Sequence, residues 1–109
     1  MSGQREPLPM RRESETFEIA FGGLKGNHVI TVGFYPDGRV GEFFIVGGKS
    51  GEQVEAIARD FAIVASMALQ YCAPLNAIQH ALTRNSQGEP LSIGGVVIDQ
   101  LVKVEKQTA

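Results

Sequence analysis

Apolar side chains recur every second residue in the first half of the chain and every third or fourth in the second half. Phe17, Ile19 and Phe21 alternate with Thr16, Glu18 and Ala20, the period of a half-buried strand. Gly22-Gly23 through Gly26-Asn27 supply a turn, and His28 to Tyr35 is rich in β-branched and aromatic residues. Pro36-Asp37-Gly38 is a strong turn signal, because proline presets φ and glycine accepts a positive one. Val40 to Val46 forms the third strand and Gly47-Gly48 ends it. Connections this short favour an antiparallel meander.

The second and third strands are apolar on both faces. Ile30, Val32 and Phe34 oppose Val29, Thr31 and Tyr35, while Phe44 and Val46 oppose Phe43 and Ile45. A sheet with one wet face alternates cleanly, so both faces are expected to be covered, by the chain's own helices or by a second subunit.

Helical spacing takes over after Ser50 and Gln53, which have the S-x-x-Q spacing of a capping box. Val54, Ile57, Ala58, Phe61, Val64, Ala65, Ala68 and Leu69 mark a long amphipathic helix, with Pro74 as its stop. Leu75, Ile78 and Leu82 mark a short second helix, residues 84–90 a loop, and Ile93, Val97, Leu101 and Val104 a third helix. The expected fold is α+β: a three-stranded antiparallel meander followed by three helices, βββααα. Residues 1–13, polar and containing Pro7 and Pro9, read as a flexible arm made locally basic by Arg5, Arg11 and Arg12. Residues 14–105 form the single domain and 106–109 a tail.

Composition narrows the function classes. The chain has 109 residues, 43% hydrophobic and 20% charged, which suits one globular domain. No apolar run approaches the ~18–20 residues of a membrane span, and the N-terminus has no apolar signal core, so the cytoplasm is the expected compartment. A net charge of -2 argues against direct nucleic-acid binding through phosphates. One cysteine, Cys72, excludes an internal disulfide, a CxxC pair and a cysteine-rich zinc site.

Candidate chemistry is sparse. Gly48-Lys49-Ser50 lies between a strand and a helix but lacks the earlier glycine of a P-loop, with Phe43 in its place. Lys49 and Ser50 remain a candidate anion- or nucleotide-binding pair, since a helix N-terminus offers free amides. His28 and His80 have no second ligand at metal spacing and read as surface residues. Ser66 and Cys72 have no partner base, and Cys72 reads as a small half-buried residue. No catalytic residue, metal site or cofactor is expected.

Ser66-Met67-Ala68-Leu69-Gln70-Tyr71-Cys72-Ala73-Pro74-Leu75 resembles the S-x-A-L-Q-Y-G-x-P-L segment near the C-terminus of adenosylcobalamin-dependent ribonucleotide reductases. Ile30 to Gly38 is similar to that family's T-V-G-x-Y-x-D-G strand and turn, and Gly41-Glu42-Phe43-Phe44-Ile45 to its G-E-x-F-I strand. Together these segments cover residues 14–83, and Pro90 to Gly95 with Ile98-Asp99 resembles the ending of short free-standing bacterial versions. The unit that these segments resemble is commonly called the TSCPD domain. Its name-giving cysteine cluster is absent, so zinc is not implied. Cys72 stands where the family has a helix-ending glycine, which leads us to expect a differently built helix end.

The resemblance implies an accessory domain linked to DNA biosynthesis and to ribonucleoside-diphosphate reductase. Reductase chemistry needs a radical-carrying cysteine and a reducing pair, so one cysteine argues against independent activity. The expected partners are a second copy of the chain (a dimer), a reductase-type protein or a nucleic-acid-processing protein. Tyr35, Asp37, Gln70, Tyr71 and Arg84 are the candidate partner-binding residues, because their packing role is the least evident.

Overall fold

The computed structural model describes residues 4–21, 27–47 and 52–108. Three strands, β1 (Ser14–Ile19), β2 (His28–Phe34) and β3 (Val40–Gly47), precede three helices, α1 (Glu52–Gln70), α2 (Leu75–Ala81) and α3 (Ile93–Thr108). The strands pair antiparallel in the order β1-β2-β3, so the fold is the α+β arrangement that the periodicities imply. Residues 22–26 of the turn expected at 22–27, and the capping residue Ser50, lie outside the described residues. The third helix runs to Thr108, through most of the segment expected as a tail.

Pairing assigns each side chain to a face. Phe17, Ile30 and Ile45 share one register line and Val32 and Phe43 another, all on the inner face. The core joins these residues to Ala58, Ala62, Ala65 and Leu69 of α1 and to Ile93, Val97, Ile98 and Leu101 of α3. On the outer face, Thr16-Thr31-Phe44 and Glu18-Val29-Val46 line up, with Phe44 48% and Val46 63% exposed. The chain's own helices therefore cover one face of the two.

Helix α1 packs along the outside of β3, on its free edge. Alanines at 58, 62 and 65 keep the buried stripe of the helix thin, which allows a close approach of the two backbones. The Ser66 hydroxyl accepts from Phe43 N at 3.0 Å and donates to Phe43 O at 3.2 Å. The Gln70 amide donates to Gly41 O at 2.9 Å. Backbone groups that an edge strand leaves open are thus satisfied by two helix side chains. Ser66 thus has a structural assignment at the β3 edge.

Three local features differ from the sequence reading. Helix α1 ends at Gln70, before Pro74, in a left-handed turn: Cys72 N donates to Leu69 O and Ala73 N to Ala68 O, with Cys72 at φ 73. This is the reciprocal bonding of a Schellman cap, so the helix end is built as a glycine would build it, with cysteine in the position. Pro74 instead caps the start of α2. Cys72 is exposed and not half-buried, because it lies past the last residue of α1, in the cap.

His28 is the second difference. Its line on β2 is the inner face, shared with Ile30 and Val32, so it is buried instead of lying at the surface. Among the described residues neither ring nitrogen has a hydrogen-bond partner. His80 is exposed, in agreement with its spacing.

The third difference is the N-terminal segment. Residues 4–13, expected as an arm, are in contact with the domain through both backbone and side chains. Phe34 N donates to Glu13 O at 3.0 Å, which extends the β1–β2 ladder backwards.

Candidate functional site

Tyr35, Asp37 and Gln70, three of the five candidate partner-binding residues, converge where the β2–β3 turn meets the end of α1. The turn forms because Gly38 N donates to Tyr35 O and Tyr35 N to Arg39 O, with Pro36 at the first corner and Gly38 at φ 95. Asp37 tightens it: Arg39 N donates to Oδ1 at 3.1 Å and Arg39 Nε to Oδ2 at 2.7 Å. The Arg39 guanidinium then lies 4.5 Å over the Tyr35 ring.

One residue of the N-terminal segment, Glu6, is gripped at four points. Its backbone N–H donates to Gln70 O at 2.7 Å, and its carbonyl accepts from the Tyr35 hydroxyl at 2.7 Å. Its two carboxylate oxygens accept from Arg39 Nη2 at 3.1 and 3.0 Å. Arg5 Nε donates to Gln70 Oε1 beside it. Further along, Leu8 lies so close to Gly41 that a Cβ there would stand 2.6 Å from Leu8 Cδ2. Arg12 Nε pairs with Glu42 at 2.6 Å and its Nη1 donates to Pro9 O.

The electrostatics follow from these partners. Burial, and then the negative charge of Glu6, push the Tyr35 hydroxyl above its ordinary value, so it stays a proton donor. Hydrogen bonds from the Arg39 backbone and side chain hold Asp37 below the usual carboxylate range. The Arg39 guanidinium is held more firmly protonated, by its hydrogen bond to Asp37 first. The arrangement can hold an extended chain carrying one acidic side chain. It offers no base beside a nucleophile.

The other candidates fall elsewhere. Arg84 fastens the loop after α2 to α3: Nη1 and Nη2 reach the two Asp99 oxygens, Gln79 Nε2 donates to Asp99 at 3.0 Å, and Arg84 Nη1 reaches Gly88 O. The Arg84 bonds hold Asp99 below its ordinary range. Tyr71 is half-buried and contributes backbone bonds from its N–H to Met67 and Ala68 in the α1 cap. Lys49 and Ser50 lie outside the described residues, and no metal-holding cluster is found among the described residues.

Sequence reading missed Arg39 and Glu6. The available signal was Pro7 and Pro9, which fix φ and stiffen residues 5–9 into an extended segment suited to docking.

Between the outer face and α1 runs a groove of about 320 Å³, whose lining includes Phe44, Ile63, Met67 and Gln70, with Arg5 and Glu42 at its polar end. It continues the exposed apolar surface of Phe44 and Val46.

The family model of the TSCPD domain matches residues 4–107, which includes the N-terminal segment as well as the sheet and helices. The chain belongs to the TSCPD domain family. Its relatives include a vitamin B12-dependent ribonucleotide reductase of Rhodopirellula baltica, 38% identical over 81% of this chain and 8% of the relative. Reductases of the same description from Agrobacterium fabrum and Streptomyces coelicolor are 40% and 34% identical, over 76% and 79% of the chain. This TSCPD domain spans 6 to 9% of the length of these three relatives. No solved structure matches it. Among the described residues no helix is long and apolar enough to cross a membrane.

Proposed function

We infer that this TSCPD domain is a non-catalytic accessory unit that works by binding a protein, with a second copy of itself as the first candidate. The observation that carries this reading is the outer sheet face. Phe44 and Val46 stand open beside the Ile63–Met67 groove, and exposed apolar surface of this kind marks interaction sites. A lone cysteine cannot supply both a radical carrier and a reducing pair, so the reductase relatives lend an ancestry without an activity.

Size-exclusion chromatography with light scattering, run over a wide concentration range, tests the reading. A dimer that Phe44→Glu converts to monomer supports it. Binding of a purified vitamin B12-dependent reductase lacking the matching region, again lost with Phe44→Glu, assigns the surface to that partner instead. A monomer that binds no such reductase overturns the reading. A thermal shift with millimolar nucleotide that Lys49→Ala abolishes moves the function to the anion site.

A further inference from the structure

The grip on Glu6 is a built receptor for a chain segment, and the segment is joined to the domain by a short bend. From Arg5 to Leu8 the N-terminal segment meets side chains and backbone of the turn, of Gly41 and of α1's last residue. It returns to the sheet at Glu13, whose carbonyl is bonded to Phe34. Pro9 to Arg12 connect the two, closed into a bend by the Arg12 bond to Pro9 O, with Met10 97% exposed at its outside. Everything the receptor recognises therefore lies on one side of a solvent-exposed, proline-containing hinge.

We propose that residues 4–8 are an exchangeable latch: two copies of the chain associate by each placing this segment in the other's Tyr35–Arg39–Gln70 receptor. Opening the bend costs the Arg12 bond to Pro9, and the bonds that the receptor makes within one chain, the exposed Glu6–Arg39 ion pair among them, form again between two. Such identical exchange is a low-cost route to a two-fold dimer. The hinge limits the geometry. Four extended residues reach at most about 14 Å, so the two β2–β3 turns must face each other across the dimer axis. This inference rests on self-association as the function and names its mechanism, while the outer face remains a separate surface.

Charge reversal separates the two. A Glu6→Arg chain sets like charges in its own receptor, and an Arg39→Glu chain does the same with opposite sign. Only exchange between the two chains pairs every strap with an opposite charge. Light scattering on each variant alone and on their equimolar mixture is the readout, with circular dichroism confirming the fold of each. The mixture should dimerise about fivefold more readily than either variant alone, the scale of two weak exposed ion pairs, one in each receptor. A mixture no more associated than its components overturns the exchange. If the wild type still dimerises in a Phe44-dependent way, self-association stands without it.

Should Arg39→Glu fail to fold, cross-linking decides. A Gln4→Cys, Cys72→Ser chain is mixed with a size-tagged wild-type chain, which keeps Cys72 beside the receptor. A short thiol cross-linker should join the two chains. No cross-link between the two chains at any concentration tested, while a control Gln4→Cys chain that keeps Cys72 cross-links within itself, overturns the proposal.

Discussion

On β3 the inner and outer faces carry matching pairs, Phe43-Ile45 and Phe44-Val46, which meet opposite fates. Phe43 and Phe44 are neighbours on β3; the first is fully buried against Phe61, edge-on at 6.0 Å between ring centroids, and the second is half-exposed. Hydrophobicity put both faces in contention for burial. What decided between them was which line of residues the helices could reach, and α1 approaches from the edge and the inner side.

Unequal consequences of equal truncations would break or sharpen this contrast most strongly. Phe43→Ala should destabilise by about 3–5 kcal/mol, because it removes a packed ring and leaves a cavity. Phe44→Ala should cost about 1 kcal/mol or less by urea denaturation, as expected of a half-exposed site. Equal costs would mean that the outer face is covered within the chain itself.

The sealed edge comes next. Ser66→Ala strips the hydroxyl that meets both Phe43 N and Phe43 O, and should destabilise by about 1–3 kcal/mol in the same assay. A neutral outcome would show that the helix covers the edge without bonding it.

A smaller effect of opposite sign is expected at Cys72. Glycine adopts φ 73 without the clash that a Cβ makes there, so Cys72→Gly should stabilise by about 1 kcal/mol. A thermal melt showing no gain would place a compensating contact at the thiol.

The smallest effect belongs to Asp99. Its carboxyl is held below the ordinary range by Arg84, so the pair contributes fully above the unfolded-state value and fades as pH falls through the depressed one. Arg84→Ala should flatten the acid limb of a melting profile taken from neutral pH down to about pH 3 and leave the rest of the curve parallel.

Much of the fold was legible in the sequence for local reasons. Alternation in Phe17 to Phe21, the Pro36-Asp37-Gly38 turn and the Ile93–Val104 spacing each depend on residues close in sequence. The features that were not legible depend on distant pairs. The alternation of β2 already puts His28 on the line of Ile30 and Val32, but its burial at the very start of the strand depends on the pairing with Ile19 and Gly47 on either side. Cys72 occupies a glycine's conformation because two carbonyls of α1 need the amides of Cys72 and Ala73, and that demand outweighs the cysteine's own preference. Of the candidate site, Tyr35, Asp37 and Gln70 were found as motif residues. Their convergence was not, because the residue that joins them, Glu6, belongs to a segment whose charges and prolines looked like those of a solvated arm.

The helix along β3 has one more consequence, which concerns symmetry. A sheet that is open on both edges can add copies at each side without end, as a fibre does. Here α1 occupies one edge through Ser66 and Gln70, and among the described residues only the β1 side is left to pair. Any pairing of sheets edge to edge must then join β1 to β1 about a two-fold axis, and it uses up both available edges in the act. Growth ends at two.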